Sequence, residues 1–276
     1  MSTASEGGSD NRPKEVAPNS LAVLASLLKS LSFIDLSPTI EPGMPRWVTH
    51  PPLVINPTIN HEHDDYYCQT LILPEHTGSH IDAPAHIHAS MMDWTIDTVG
   101  INTFFAPAVL FDLRPYNLQP GEVATAEMLE DIDSKATSGL GVGDIALLNF
   151  GWWERYWVVD RKWRFYGENT PGLSEDATIW LADRKPVAVG ADTVAVDTPL
   201  RDGVEVQKAY GHFEHFLPRG IYIIECLAHL DALPRRSFFI ALPLKIAKGS
   251  GSPIRAIALV EPSNGEEEKP AKAEDQ

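Results

Sequence analysis

The segment His76-Thr77-Gly78-Ser79-His80-Ile81-Asp82-Ala83-Pro84-Ala85-His86-Ile87-His88 constrains the fold most, because it sets four imidazoles and one carboxylate within thirteen residues. His76, His80, Asp82 and His86 stand at i, i+4, i+6 and i+10. Gly78 and Pro84 disfavour a helix here. In an extended chain even offsets share one face. His80, Asp82, Pro84, His86 and His88 then point one way, over an apolar backing of Ile81, Ala83, Ala85 and Ile87. Gly78 allows a bend that folds His76 onto the same centre as His80 and Asp82. Two imidazoles and a carboxylate are a common ligand set for zinc, manganese or iron. Three protein ligands leave positions for water, which a hydrolase requires. The plain alternative is a histidine-rich surface loop with incidental metal affinity. Ser79-His80-x-Asp82 is not a triad, whose members meet in space rather than in sequence. The Ser79 hydroxyl suits a hydrogen bond to the loop backbone or to a ligand.

Whole-chain properties exclude several function classes. A net charge of -16 over 276 residues opposes nucleic-acid binding and adhesion to anionic membranes. The polar N-terminus lacks a signal-peptide core, and no apolar run is long enough to span a bilayer. The expectation is a soluble, cytoplasmic protein. Two cysteines make no disulfide framework; Cys68 and Cys226 sit in apolar runs and read as buried thiols. The length suits one large domain, predicted over 19–262, between disordered tails at 1–18 and 263–276.

Along the chain, Leu24, Leu27, Leu28 and Leu31 give a helix from Asn19 or Ser20 an apolar stripe, expected to pack on the body or on a partner subunit. Apolar runs at 33–36, 53–56, 66–73, 108–113, 145–150, 187–191, 220–227, 238–242 and 255–260 predict strands. Thr125 and Ser174 are positioned to cap helices. His61-Glu62-His63-Asp64-Asp65 reads as a solvated turn. The aromatic run Trp152, Trp153, Tyr156, Trp157, Trp163, Phe165 and Tyr166 suits packing, a pocket rim or a subunit interface. Lys248-Gly249-Ser250-Gly251-Ser252-Pro253 lacks the spacing of a phosphate loop and reads as a flexible turn. Asp192 and Asp197 read as structural hydrogen-bonding groups. Glu225 stands in the apolar strand Ile221–Leu227, where a carboxylate is costly unless a cation or donors meet it; that makes it a candidate ligand on physical grounds alone.

The 76–86 stretch resembles the HxGTHxDxPxH signature of the cyclase-like metal-dependent hydrolases, with Ser79 where that family has Thr. The family includes bacterial kynurenine formamidases and isatin hydrolases, and the likeness runs roughly from Phe33 to Glu261. The resemblance implies an α/β fold of swivelling β/β/α type, a single domain with a barrel-like mixed sheet, and a homodimer or larger homo-oligomer. It implies one or two divalent ions, Zn or Mn, held by His76, His80 and Asp82, with Glu225 and a histidine completing a second position. That histidine is expected at 213, which is Phe213; His212 is one residue early and His215 two late, and the smaller shift favours His212. His86 is the implied acid–base. Trp47, after the Pro-Gly turn of Glu41–Arg46, is the implied substrate contact, and the Ser79 hydroxyl, on its own chemistry, is a second candidate. The implied reaction is hydrolysis of a carbonyl–nitrogen bond in a small aromatic amide by metal-activated water. Ring-opening of a cyclic amide or lactone needs the same parts. A non-catalytic metal-binding protein has no need of a base like His86.

Overall fold

The computed structural model describes residues 19–201, 204–205 and 209–262, so both predicted tails lie outside the described residues. Its main compact unit is Phe33–Val260. The chain forms β1 (Ser32–Asp35), the ribbon strands β2 (Val54–Ile59) and β3 (Cys68–Ile72), and β4 (His80–Asp82). There follow β5 (Phe105–Asp112), β6 (Ile145–Asn149), β7 (Ala188–Ala191), β8 (Tyr222–Glu225), β9 (Arg236–Ile240), β10 (Gly251–Pro253) and β11 (Ile257–Val260). Nine of these build one curled, mixed sheet in the order β1-β11-β9-β5-β6-β7-β8-β4-β10, a half-barrel within an α/β architecture.

The centre of the sheet is parallel: β5, β6, β7 and β8 run together, and β6 and β7 are wholly buried. That is why they read as unbroken apolar runs. Alternation still sorts their side chains. Val109, Phe111, Ala146, Leu148 and Val189 face a core shared with Leu129, Ala177 and Leu181 of helices Ala126–Ser134 and Glu175–Asp183. Ala108, Leu110, Ile145, Leu147 and Ala188 face the concave core with Leu36, Ile81, Phe239 and Ala258. Thr125 and Ser174 cap those two helices through the N–H groups of Met128 and Ala177.

Several expectations are corrected. The helix Ser20–Ser30 forms as expected, but Asn19, at its N-cap position, makes no side-chain cap. His61–Asp64 is a single helical turn, exposed as expected of a solvated segment. Cys68 is exposed, because β2 and β3 form a separate two-stranded ribbon with no second layer over Cys68; Cys226 is buried. Trp152 and Tyr166 are fully buried in the helix-side core, so the aromatic run is mainly packing. No helix among the described residues is long and apolar enough to cross a membrane.

Candidate metal centre and cavity

Sheet register brings the candidate ligands together. β4 is paired antiparallel with β8, setting His80 opposite Glu225 and Asp82 opposite Ile223. The pairing lies at the carboxyl end of β8, where open α/β sheets place their ligand crevices. Only His80–Asp82 of the histidine-rich stretch is a strand; Pro84–His86 is a 3-10 turn. The single extended face expected for His80 through His88 is therefore broken at Ala83, where Pro84 starts the turn. His86 reaches the centre by that turn, whereas His88 points to the His212 carbonyl, 3.2 Å from its Nε2. Gly78 adopts a left-handed φ of 60°, and the bend returns His76 to Asp82, Nδ1 to Oδ1 2.6 Å.

The donors form two groups that share Asp82: His76, His80 and Asp82, and Asp82, His212 and Glu225. In the second, His212 Nε2 lies 3.4 Å from Asp82 Oδ2 and 3.2 Å from Glu225 Oε1. His80 Nε2 lies 3.2 Å from Glu225 Oε2 and 3.4 Å from Asp82 Oδ1. His215 is elsewhere, beside Arg219 and stacked on Tyr210.

The imidazole tautomers are fixed from behind. His80 Nδ1 donates to the Gly78 carbonyl at 2.7 Å. His212 Nδ1 donates to Asp197 Oδ2 at 2.6 Å, and Asp197 also accepts from the Gly211 and His212 backbone N–H groups. With both Nδ1 atoms spent as donors, both Nε2 atoms face carboxylate oxygens, and either a proton or a metal ion must stand between each pair. Glu225 Oε1 is buried without a hydrogen-bond partner among the described residues, which makes the same demand. The donor set fits a divalent ion.

Protonation follows the same logic. Burial opposes a charged His80, yet Asp82 and Glu225 hold its pKa up at about 9. Burial also opposes ionised Asp82, but the surrounding histidines, His76 foremost, keep its carboxyl well below the usual range. His86 behaves oppositely: desolvation outweighs the pull of Asp82, and with the neighbouring His76 and His212 it drops the imidazole to about 4. His86 belongs to neither donor group; its ring packs on His76 with centroids 3.9 Å apart.

The centre opens into a cavity of about 220 Å³ walled by Trp47, Ile87, Val194, Ala195, Pro199 and Phe213 alongside the histidines. Trp47 is thus on the wall. Ser79 is not: it is buried, and its hydroxyl donates to the Cys226 carbonyl at 2.8 Å and lies 3.2 Å from the Leu36 carbonyl. The expected substrate contact at Ser79 is corrected to a backbone tie. Sequence reasoning missed His50, which lines the cavity three residues after Trp47, and Ser250, whose hydroxyl lies 2.9 Å from His76 Nε2. The one available signal was the turn around Gly251, where a Cβ would sit 2.6 Å from the His76 ring.

The Cyclase family model matches residues 34–198. An isatin hydrolase of Roseibium aggregatum is 29% identical over 200 residues, 69% of this chain and 73% of its own. A kynurenine formamidase of Salinibacter ruber is 26% identical over 236 residues, 82% of this chain and 97% of its own. Among solved structures, isatin hydrolase A from Ralstonia solanacearum superposes with a TM-score of 0.77 at 28% identity, covering 90% of this chain and 100% of that one. Isatin hydrolase A from Labrenzia aggregata, bound to benzyl benzoate, gives 0.76 at 26% identity, over 88% and 100%.

Proposed function

The chain belongs to the Cyclase family, and from that membership and the donor cluster we propose that it is a metal-dependent hydrolase of a carbonyl–nitrogen bond in a small aromatic amide. The observation that carries the reading is the pairing of a cation-demanding cluster with His86, a base outside it, on one apolar-walled cavity. His76, His80 and Asp82 would hold one ion, and Asp82, His212 and Glu225 could hold a second. Zn and Mn both suit this set of imidazoles and carboxylates. Such an ion supplies Lewis-acid polarisation of the scissile carbonyl and acidifies water.

The protein's own groups do the rest. His86, neutral down to about pH 4, takes a proton from the attacking water and returns it to the departing nitrogen. Asp197 keeps His212 in the tautomer with a free Nε2. Trp47, Ile87 and Phe213 give an aromatic substrate apolar surface and exclude bulk water.

Ring-opening of a cyclic amide is the second reading, favoured by the isatin hydrolases named among both relatives and structural neighbours. Attack on either carbonyl uses the same residues. A hydrolysis screen of formamides, cyclic amides and lactones with metal-loaded protein separates them. Turnover of none, by protein that holds metal, leaves a metal-binding protein without catalysis and refutes the hydrolase reading.

A further inference from the structure

His88 is the histidine of the metal-bearing stretch that neither the two donor groups nor the proton-transfer step uses. It follows His86 by two residues, just past the 3-10 turn Pro84–His86. Its N–H closes on the Pro84 carbonyl at 3.3 Å, and its own carbonyl takes the Met91 N–H at 2.8 Å. The backbone of His88 is thereby fixed to the segment that carries His86, while its side chain reaches another. Nε2 lies 3.2 Å from the His212 carbonyl, and the ring meets Phe213 edge to face with centroids 6.3 Å apart. A carbonyl only accepts, so the proton at this contact sits on His88 Nε2. The turn it reaches, Gly211–His215, is of π type: the Phe216 N–H bonds to the Gly211 carbonyl at 2.9 Å. Such turns are rare interruptions, frequent at functional sites. Asp197 ties this one at the Gly211 and His212 N–H groups and at His212 Nδ1. His88 ties it at a carbonyl. Of two consecutive residues here, His212 belongs to a donor group and Phe213 lines the cavity. Whatever fixes the turn therefore sets both.

Resting on the reading of the cluster as a metal centre, we propose that His88 is a positioning residue for the ion position formed by Asp82, His212 and Glu225. Its Nε2–H holds the His212 carbonyl, keeps the His212 imidazole aimed at the two carboxylates, and fixes the turn relative to the segment that carries His86. His88 is no ligand itself, because its Nε2 is spent on the carbonyl and it lies outside both donor groups. The hydrogen bond carries this role, and the edge contact with Phe213 does not.

Zinc titration of the metal-free protein against a chromophoric chelator tests this. Nitrogen-15 spectra of labelled histidine assign each equivalent, since His76 and His80 report one position and His212 the other. His88→Ala should weaken the His212 position roughly two- to tenfold, the worth of one hydrogen bond, and leave the His76–His80 position unchanged. His88→Gln, whose side-chain amide N–H stands where Nε2 does, should restore the affinity. His88→Phe keeps the ring and its edge contact but has no donor, and should bind as weakly as His88→Ala. The Gln and Phe variants fill the space, so they decide the matter even where His88→Ala folds poorly. In the wild type the same spectra should show His88 protonated on Nε2. Unchanged affinity at the His212 position in His88→Phe, an equal loss at both positions, rescue by Phe and not by Gln, or a His88 ring protonated on Nδ1 alone overturns the inference. A wild type that binds one ion, at His76, His80 and Asp82, also overturns it and leaves a one-ion hydrolase standing. A wild type that binds none overturns the inference and the metal-centre reading together.

Discussion

Asp197→Asn tests how the second half of the centre is built. The carboxylate is fully buried and accepts three N–H groups: Gly211 on Oδ1, and the backbone and Nδ1 of His212 on Oδ2. An asparagine keeps the shape but replaces one acceptor with a donor. If its amide faces His212, two donors collide at the 2.6 Å contact. The imidazole then moves its proton to Nε2, where it points at Asp82 and Glu225 and holds no ion. If the amide faces Gly211 instead, the collision moves to that backbone N–H. Either outcome costs about 1–3 kcal/mol, felt as metal affinity in the first case and as fold stability in the second. At 1.4 kcal/mol per decade, the first is roughly a 5- to 150-fold loss of affinity at the His212–Glu225 position, in line with the usual effect of removing a carboxylate behind a ligating histidine.

The first position, His76, His80 and Asp82, does not touch Asp197, so the variant should retain about one ion per chain. Competition titration of the metal-free protein with zinc against a chromophoric chelator measures both affinities. Nitrogen-15 spectra of labelled histidine report the tautomer. Unchanged affinity at every bound equivalent although the His212 proton has moved to Nε2 would refute the reasoning and reduce Asp197 to a fold-stabilising group.

His80→Ala removes a donor between Asp82 and Glu225 and should abolish both metal retention and hydrolysis; elemental analysis after dialysis checks this, and retained metal would show that the cluster is not the site. His86→Gln should keep its metal, while turnover falls roughly 10²- to 10⁴-fold, the usual worth of a positioned acid–base group; a parallel loss of metal would make His86 a ligand. The lowered pKa of His86 sets a sign: the neutral, proton-accepting form is populated above about 4, and a bound cation lowers that value further. The acid limb of kcat/KM should therefore fall near or below pH 4 instead of near 6.5, a limb that metal content measured at each pH separates from metal loss. Ser79→Ala removes a buried donor from the Cys226 carbonyl and should cost about 1–3 kcal/mol of stability by denaturant titration, with KM unchanged; a raised KM would return Ser79 to the cavity.

The first donor group was legible because its members lie within seven residues and one glycine bend joins them. Glu225 was legible for a different reason: an ionised group amid Ile223, Ile224 and Leu227 needs a counter-charge wherever it lies. His212 followed from spacing to Glu225. Beyond these, contact order defeats the reading. Ser250 meets His76 across 174 residues, and Asp197 meets His212 because the segment after β7 returns beneath the helical turn Gly211–His215. His50 carries no signature, and its placement depends on how Arg46 pins the loop to Trp163. In the fold, the parallel strands were visible as apolar runs, but nothing local states that β4 sits between β8 and β10. That neighbour choice is what puts His80 opposite Glu225.

Ser79 shows where a resemblance and elementary geometry diverge. A hydroxyl inside a ligand-bearing signature invites a role in substrate binding. Yet β4 alternates, and Ser79 shares its parity with Ile81, which lies in the concave core, while His80 and Asp82 share the other. Whatever stands at 79 is therefore turned from the cavity toward the carbonyls of Leu36 and Cys226. A buried hydroxyl there must donate to one of them, and the carbonyl it chooses belongs to the residue after Glu225. The tie joins the chain just before His80 to the chain just after Glu225, at the end of their shared register. Its effect on the site passes through the separation of the two donor groups and not through the substrate. Metal affinity in Ser79→Ala should thus move before KM does.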